Sequence, residues 1–371
     1  MKTVRLVFLG FGNVGRALAR ILMSKREELA SRYGCEWRVT GIHTRRHGAV
    51  IDPAGVDLAR ALDRLESGQS LESLSPGHAP IEGTEFIRAC TGDVLFENTP
   101  VNYESGQPAV DHLRTALECG MHAITANKGP VVHAYGELSR LADRHKLRFL
   151  FESTVMDGAP VFSLWRETLP AAALQSFRGI LNSTTNLILT HMESGSSFEQ
   201  AVSHAQALGI AETDPSGDIS GMDSAVKVAA LVTVLMGFPL KPKQVERIGI
   251  EAISAQEVQW ALRQGRRWKL ICQARREGER VEASVRPELL DPSDPLFSVA
   301  GTSSAVTFHS DVLESLTLVE GNPGPGTTAY GLLADLLRAV APQDWDLRES
   351  HAAENSREED ADPRRGSLAL N

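Results

Sequence analysis

An acidic loop followed by an apolar helix carries the residue types best suited to acid–base chemistry. The segment Gly209–Lys227 contains four carboxylates, which are Glu212, Asp214, Asp218 and Asp223. Asp223 and Lys227 are four residues apart, so on a helix they share one face. An acid and an amine beside a flexible loop can bind a zwitterionic substrate and move a proton. The alternative is a solvated loop with an ordinary helix-surface ion pair, because such pairs are common.

A glycine-rich turn lies near the N-terminus, between an apolar run and an Ala-rich segment with helical spacing. The run is Val4–Leu9, and the turn consists of Gly10, Phe11, Gly12, Asn13, Val14 and Gly15. In a strand–turn–helix context this GxGxxG spacing is typical of dinucleotide binding. The first glycine permits the tight turn, the second lets a pyrophosphate approach, and the third lets the helix pack closely. These six residues are therefore the predicted cofactor site, with phosphates at the helix N-terminus.

The end of the second predicted strand, Trp37–Ile42, bears on the choice of cofactor. A NAD-selective fold usually places an acidic residue there for the ribose hydroxyls. This chain has His43 followed by Thr44, Arg45 and Arg46. Guanidinium groups suit a 2′-phosphate, so Thr44, Arg45 and Arg46 favour NADP, with NAD as the other possibility. Solvated loop arginines without a ligand are the alternative interpretation.

Composition places the chain among ordinary globular proteins. Its 371 residues suffice for two domains, and a net charge of −9 argues against a broad nucleic-acid-binding surface. No apolar run reaches the length of a membrane span, and the first strand begins too early for a signal peptide. Four scattered cysteines, Cys35, Cys90, Cys119 and Cys272, lack zinc or CxxC spacing. Reduced thiols and a cytoplasmic location are expected.

Apolar runs alternate with amphipathic segments over residues 1–150. The predicted strands are Val4–Leu9, Trp37–Ile42, Val94–Glu97, His122–Thr125 and Arg148–Glu152. The predicted helices are Gly15–Arg32, Pro108–Cys119 and Ala134–His145. This alternation predicts an α/β fold with a Rossmann-type, doubly wound parallel sheet that binds the nucleotide. Residues 52–82, rich in Pro and Gly, are predicted to be an excursion between elements.

The alternation stops after residue 150, which predicts a second, α+β domain over residues 151–320. Its predicted helices are Thr184–His191, Ser197–Leu208 and Asp223–Met236. Its predicted strands are Ser176–Ile180, Lys269–Arg275, Arg280–Val285, Ala305–Ser310 and Ser315–Glu320. Residues 321–341 contain a helical pattern, Thr327–Ala339, expected to return to the nucleotide domain. The charged residues 342–371 are expected to form a disordered tail.

Further motifs follow the glycine-rich turn in a fixed order along the chain. They are Thr125–Pro130 (TANKGP), Phe151–Val155 (FESTV), Gly179–Asn186 (GILNSTTN), the acidic loop ending at Lys227, and Gly324–Thr328 (GPGTT). With the turn, they resemble the homoserine dehydrogenase family over residues 1 to 340. Members of that family reversibly reduce aspartate 4-semialdehyde to homoserine with NAD(P)H, on the path to threonine and methionine. The resemblance implies an NAD(P)-dependent oxidoreductase.

The resemblance also assigns residue roles. Lys227 matches a lysine that protonates the aldehyde oxygen, and Asp223 matches a carboxylate that orients this lysine and contacts substrate. Lys128 matches a lysine between nicotinamide and substrate, and Glu212 matches the acid that receives the substrate's α-ammonium group. An alkoxide forming as hydride arrives needs a cation or an acid, which agrees with these roles. Thr99, Pro100 and Gly326 match turns beside the cofactor.

A monovalent cation, Na⁺ or K⁺, is a further implication of the resemblance. Its ligands in similar proteins are a carboxylate and backbone carbonyls, which match Glu152, Val155, Asp157 and Ala159. Hard cations prefer oxygen ligands, but any residue type supplies a carbonyl, so the sequence alone does not establish this site. An unliganded turn is the alternative.

The chain departs from the family pattern at a few positions. Ser183 replaces a usual glycine and Ser220 replaces a common asparagine, while Asp157 stands where a small residue is common. His43 and Thr44 replace a more usual small polar pair. A C-terminal regulatory domain and an N-terminal kinase are not expected. Relatives are commonly dimers through the second domain, so we expect a homodimer without nucleic-acid or membrane partners.

Two other functions remain open from the sequence. The first is an amino-acid dehydrogenase-like oxidoreductase with a different small substrate, which the departures at Ser183 and Ser220 allow. The second is a nucleotide-sensing protein without catalytic activity. The presence of Lys128, Glu212, Asp223 and Lys227 together argues against the sensor.

Overall fold

Two six-stranded sheets organise the chain in a computed structural model that describes residues 3–340. The strands of the first sheet are β1 (Val4–Leu9), β2 (Trp37–His43), β3 (Ala49–Ile51), β4 (Val94–Glu97), β5 (His122–Thr125) and β6 (Phe149–Leu150). Their order is β3-β2-β1-β4-β5-β6, with every pair parallel except β2 and β3. The order reverses beside β1, which is the switch point where open α/β sheets bind ligands.

Helices cover both faces of this first sheet. They are α1 (Asn13–Ser24), α2 (Arg26–Tyr33), α3 (Leu58–Glu66), α4 (Gly83–Ala89), α5 (Ala109–Glu118) and α6 (Lys128–His145). One core joins β1 to α1 and α3, and a separate core on the sheet joins β1 and β4 to α4. The predicted doubly wound α/β fold is therefore confirmed.

The strand register brings four functional segments to one edge of the sheet. Leu9 pairs with His43 on one side and with Glu97 on the other, and Glu97 pairs with Thr125. The residues that follow these strands therefore meet at the carboxyl edge. The glycine-rich turn, the loop after β2, the loop after β4 and the start of α6 all lie there.

The second sheet is largely antiparallel. Its strands are β7 (Leu174–Ile180), β8 (Glu246–Arg247), β9 (Arg267–Glu277), β10 (Arg280–Leu290), β11 (Ser304–Ser310) and β12 (Leu316–Glu320), in the order β12-β11-β7-β9-β10-β8. The accompanying helices are α7 (Val161–Ser163, continued by a π-helix over Leu164–Thr168), α8 (Ser183–Glu193), α9 (Phe198–Ala207), α10 (Ser216–Ile219), α11 (Met222–Leu235) and α12 (Ala255–Arg263). Its largest core contains almost the whole of α11, which explains the apolar run seen in that segment.

The last described helix, α13 (Pro325–Val340), packs on the first sheet rather than on the second. Leu332, Leu333 and Leu336 belong to the core that contains α1. The helical pattern in Thr327–Ala339 thus packs on the half of the chain that carries the glycine-rich turn. The disorder expected for residues 342–371 lies outside the described residues.

Some predicted elements differ from those observed. The single helix predicted over Gly15–Arg32 is two helices, because Lys25 leaves helical dihedrals at φ −101° and ψ 13°. Helix α2 buries only Leu29, so no continuous apolar stripe extends α1. Helix α6 begins at Lys128, six residues before the predicted start, and Ala134 interrupts it with φ −139°. The predicted excursion over residues 52–82 contains helix α3. Helix α12 was not predicted.

In residues 3–340 no helix is long and apolar enough to cross a membrane.

Candidate active site

The glycine-rich turn between β1 and α1 has the backbone of a phosphate-binding loop. Gly10 has φ +88°, and a Cβ there would lie 2.5 Å from the carbonyl oxygen of Asn98. A Cβ on Gly15 would lie 2.9 Å from the Gly10 oxygen, whereas one on Gly12 would meet nothing within 4 Å. Helix α1 has no side-chain cap at its N-terminus. The free N–H groups and the open space at Gly12 therefore fit a dinucleotide pyrophosphate.

Substituting Gly10 by alanine is expected to weaken both the fold and cofactor binding. The left-handed backbone costs about 1–2 kcal/mol for a residue with a Cβ, and overpacking against Asn98 adds about 1–3 kcal/mol. Gly68→Ala is the matched control, since Gly68 has φ +69° and open space around its Cβ position. Thermal melting should show a clearly larger loss for Gly10→Ala. Equal losses in the two variants would contradict the steric clash.

The loop after β2 places two arginines in solvent. The Thr44 hydroxyl donates to the Gly48 carbonyl at 2.9 Å and accepts from the His47 N–H at 2.9 Å, which closes the turn. The side chain of Thr44 is thus used structurally, and the residue is buried. Arg45 and Arg46 are exposed, and neither has a side-chain hydrogen bond or ion pair with any residue in 3–340. Their guanidinium groups are available to an anion.

A buried carboxyl fixes the carboxyl edge of β4 and β5. Glu97 is fully buried and accepts from the Thr99 N–H at 3.0 Å, from the Thr99 hydroxyl, and from the Thr125 hydroxyl at 2.8 Å. Burial raises the pKa of Glu97, although these hydrogen bonds oppose the shift. The Asn127 N–H donates to the Thr125 hydroxyl at 2.9 Å, and its side chain caps α6 by accepting from the Gly129 N–H. This network sets the position of Lys128, the first residue of α6.

Two lysine ammonium groups converge on one carboxylate between the two halves of the protein. Lys128 Nζ lies 3.2 Å from Asp223 Oδ1, and Lys227 Nζ lies 3.3 Å from Asp223 Oδ2. The three side chains are 19%, 15% and 10% exposed in the order Lys128, Lys227 and Asp223. Lys128 follows the nucleotide-binding sheet, whereas α11 packs on the second sheet. The predicted catalytic residues are therefore brought together, and we refer to them as the Lys–Asp–Lys triad.

Electrostatic interactions within the triad favour the charged forms of Asp223 and Lys128. Burial by itself raises the pKa of Asp223, but the charges of Lys128 and Lys227 outweigh it and hold this pKa below its usual range. Burial likewise lowers the pKa of Lys128, and the adjacent Asp223 reverses that shift, so the pKa of Lys128 is raised. Lys227 also donates to the Leu181 carbonyl at 2.5 Å. An ammonium has three donors, so one N–H of Lys227 stays available.

Asn182 links the triad to the acidic loop. Its Nδ2 donates to Asp223 Oδ2 at 3.1 Å and to Asp218 Oδ1 at 2.7 Å, while its Oδ1 accepts from Thr185 N–H at 2.8 Å as the cap of α8. Burial and the charge of Asp223 raise the pKa of Asp218. The side chain of Glu212 is exposed and forms no hydrogen bond or ion pair within 3–340. Its carboxylate is thus free to receive a ligand.

The predicted cation loop has a different arrangement from the one expected. The Glu152 carboxylate accepts from the N–H groups of Phe162 at 2.6 Å and Ser163 at 2.9 Å, and Arg338 Nη1 lies 3.2 Å away. Both oxygens of this buried carboxylate are therefore engaged, and an arginine already balances its charge. The Ala159 carbonyl accepts from the Val161 N–H at 2.8 Å. The Glu152 carboxylate is thus already engaged within the protein, and a monovalent cation in this loop stays a prediction.

Other predicted contacts have structural roles of their own. Asp157 has φ +35°, and its carboxylate accepts from the Thr328 hydroxyl at 2.9 Å. Gly326 lies in the first turn of α13, and Thr328 of the same turn accepts through its carbonyl from the Ser153 hydroxyl at 2.7 Å. Val155 is buried, and Pro100 is exposed next to the Glu97 network. Asn182 and Asp218 were not assigned roles from the sequence, although both stand in its motifs.

Comparisons with known proteins agree with this geometry. A family model for the NAD-binding domain of homoserine dehydrogenase matches residues 10–152, and a model for homoserine dehydrogenase matches residues 160–337. The chain is 37% identical over 339 residues to a protein of Pseudomonas canavaninivorans named NAD(+)-dependent homoserine dehydrogenase. The matched region spans 91% of this chain and 96% of that protein. The chain is also 36% identical over 333 residues to homoserine dehydrogenase of Methanocaldococcus jannaschii, and this match spans 90% of this chain and 97% of that protein.

A solved structure has the same architecture. The crystal structure of a homoserine dehydrogenase from Thiobacillus denitrificans matches with a TM-score of 0.77 and 29% identity, covering 91% of this chain and 73% of that one. The family models match both halves of the chain, and the solved structure shares their architecture. The Lys–Asp–Lys triad agrees with the same family. The chain belongs to the homoserine dehydrogenase family.

Proposed function

We propose that this homoserine dehydrogenase interconverts L-homoserine and L-aspartate 4-semialdehyde by proton transfer at Lys227. The observation that carries this assignment is the Lys–Asp–Lys triad, which bridges the nucleotide-binding sheet and the second sheet. A nicotinamide cofactor bound at the glycine-rich turn supplies or accepts the hydride. Side chains of this protein carry out the other steps, which are substrate binding, orientation and proton transfer.

Lys227 is the proposed proton donor and acceptor for the reacting oxygen. As a carbonyl becomes an alkoxide, a proton placed within hydrogen-bond distance lowers the barrier. The contacts of Lys227 with Leu181 and Asp223 fix its ammonium and leave one N–H for the substrate oxygen. Asp223 orients both lysines and balances one of their two charges. Lys128 contributes the second charge, which stabilises negative charge on the same oxygen.

Glu212 is the proposed ligand of the substrate's α-ammonium group. Its exposed, unpaired carboxylate lies in the loop before α10, and Asp218 of the same acidic segment adds negative potential. A carboxylate without a protein partner can form a charge-assisted hydrogen bond with an arriving ammonium group. This arrangement favours an amino acid over an uncharged aldehyde.

We infer a preference for NADP from the two exposed arginines after β2. The double variant Arg45→Ala/Arg46→Ala is expected to lower kcat/KM for NADP about tenfold or more, because charge-assisted bonds to the 2′-phosphate are lost. The value for NAD should stay nearly constant. Arg60→Ala is the control, since Arg60 is exposed on α3. Equal losses for NADP and NAD, or a wild-type enzyme that favours NAD as the Pseudomonas canavaninivorans relative's name suggests, would overturn this preference.

A homodimer through the second sheet is also proposed. Helices pack on the face that carries Leu270 and Cys272. On the opposite face, the core cluster contains only strand and loop residues of the described chain, and Arg178 lies 2.7 Å from Glu288. A sheet face without helices often meets a second copy. Sedimentation at micromolar concentration should give twice the mass of one chain.

A cytoplasmic location stays a prediction, supported by the buried thiols of Cys35, Cys90 and Cys272.

Initial-rate oxidation of homoserine tests the proposed function directly. Reduced cofactor is followed by its absorbance, with NADP and NAD in parallel and with other small 2-amino alcohols as comparison substrates. Turnover of homoserine with a higher kcat/KM than the other alcohols is expected. Folded protein that binds cofactor and oxidises a different alcohol faster would contradict the assigned substrate.

A further inference from the structure

The loop after β4 carries a tyrosine that no assigned role uses. Tyr103 lies in the turn formed by residues 102–106, where Asn102 Oδ1 accepts from the N–H groups of Glu104 at 3.0 Å and Ser105 at 3.1 Å. His133 of α6 holds this turn through a 3.0 Å contact between its Nε2 and the Tyr103 carbonyl. The turn is therefore attached to the helix that begins with Lys128.

A close backbone approach fixes the same turn at its other end. A Cβ on Gly106 would lie 2.8 Å from the Gly129 carbonyl oxygen, and one on Gly129 would lie 2.8 Å from the Gly106 Cα. Gly129 is the residue after Lys128. Since the backbones touch here, the position of Tyr103 relative to the triad is set by packing and not by a free loop.

The ring of Tyr103 is packed, but its hydroxyl is not used. The ring lies against the largest hydrophobic core and the residue is partly buried. Within residues 3–340 the hydroxyl has no hydrogen-bond partner, and it is not sealed from solvent. A partly buried phenol usually bonds through its hydroxyl, so this one is available to a ligand.

The surroundings of Tyr103 are rich in negative charge. Burial raises the pKa of its phenol, and the charges of Asp223, Asp218 and Glu212 raise it further, against the effect of Lys227. The phenol is thus neutral at physiological pH, with an oxygen that accepts and a hydrogen that donates. Lys128 and Lys227 offset the charge of Asp223, but within residues 3–340 Asp218 and Glu212 have no ion-pair partner. These two carboxylates favour a cationic group beside the neutral acceptor and disfavour a carboxylate.

We propose that the Tyr103 hydroxyl positions the α-ammonium group of the amino-acid substrate, together with Glu212. The inference rests on the proposed function, because it concerns the same substrate. It deepens that function by naming a specificity-determining residue on the nucleotide-binding half, attached to the helix that begins with Lys128. The substrate's ammonium would then be held from both halves of the protein, and its hydroxyl would be held at Lys227.

Tyr103→Phe tests the proposal with a matched control. Removing a hydrogen bond to a charged group should raise KM for homoserine about tenfold, with kcat changed less than about threefold and KM for the cofactor unchanged. Tyr135→Phe is the control, because Tyr135 is a partly buried tyrosine of α6 whose ring meets Phe151. Thermal melting of both variants reports any loss of folding.

Inhibitors that lack one charged group separate the ammonium from the carboxylate. For 4-hydroxybutyrate, which has no ammonium, the competitive inhibition constant should be the same in wild type and Tyr103→Phe. For 3-aminopropan-1-ol, which has no carboxylate, the constant should rise about tenfold in the variant. A KM equal to that of wild type, or an equal rise for 4-hydroxybutyrate, overturns the role of Tyr103. Absence of homoserine turnover in the wild type would instead overturn the proposed function.

Discussion

Replacing Lys227 by alanine is expected to lower kcat for homoserine oxidation by about 10²- to 10⁴-fold, the usual contribution of a positioned acid or base. The variant loses the N–H that faces the reacting oxygen and leaves Asp223 with one cation. Lys128 still balances that carboxylate at 3.2 Å, so the fold should persist. Because the nucleotide turn is formed by separate residues, the KM for the cofactor should change little.

The control for this prediction is Lys243→Ala. Lys243 is exposed in the short segment Pro242–Gln244 after α11. Its substitution removes one lysine charge without affecting the triad. Its kcat should match that of wild type. Stopped-flow measurement with deuterated homoserine adds a second readout, because slow proton transfer reduces the isotope effect on hydride transfer. Near-normal kcat in Lys227→Ala would remove the proton-transfer role and leave Lys128 as the remaining candidate.

Local spacing accounts for the parts of the site that the sequence predicted. Asp223 and Lys227 stand on one helix, where positions i and i+4 are neighbours whatever the tertiary fold. The glycine-rich turn is equally local, since its strand, turn and helix are consecutive. The sequence therefore predicted both features, and the structure confirms the helix pair at 3.3 Å.

Long-range contacts account for what local spacing alone could not predict. Lys128 reaches Asp223 only because α6 of the first sheet packs on α11 of the second, and no local pattern encodes that approach. The Glu97 network requires the register of β4 and β5, which places Glu97 beside Thr125. Arg338, 186 residues beyond Glu152, pairs with that carboxylate, and no local pattern indicates this contact. Each of these pairs is far apart in the sequence, so no local pattern predicted the contact.

Replacing Asp223 by asparagine should have the largest combined effect on stability and activity. The substitution keeps the shape and the contact with Asn182 but removes the anion between two ammonium groups. Breaking such a nearly buried pair by removing one partner costs about 3–5 kcal/mol. The two unbalanced lysines also repel each other, so we expect kcat/KM to fall about 10²-fold or more, since Lys227 loses its orientation.

The pH dependence gives this prediction a definite sign. The pKa of Asp223 in the folded state lies below its unfolded value of about 3.9, so its ionisation stabilises the fold above that pH. The stabilisation is lost as pH falls through the folded pKa. The difference in thermal stability between wild type and Asp223→Asn should therefore be large at pH 7 and shrink below pH of about 4.

Asp214→Asn provides the matched comparison for Asp223→Asn. Asp214 belongs to the same acidic loop, but it is exposed, and its carboxylate accepts from the Ser216 N–H at 3.1 Å without contacting a lysine of the described chain. Its substitution removes one negative charge without affecting a lysine, so melting temperature and kcat should stay close to wild type. If Asp223→Asn behaved like Asp214→Asn, the carboxylate would be a solvated surface charge. The two lysines would then be held by backbone contacts such as that of Lys227 with Leu181, and the triad would not be the centre of the site.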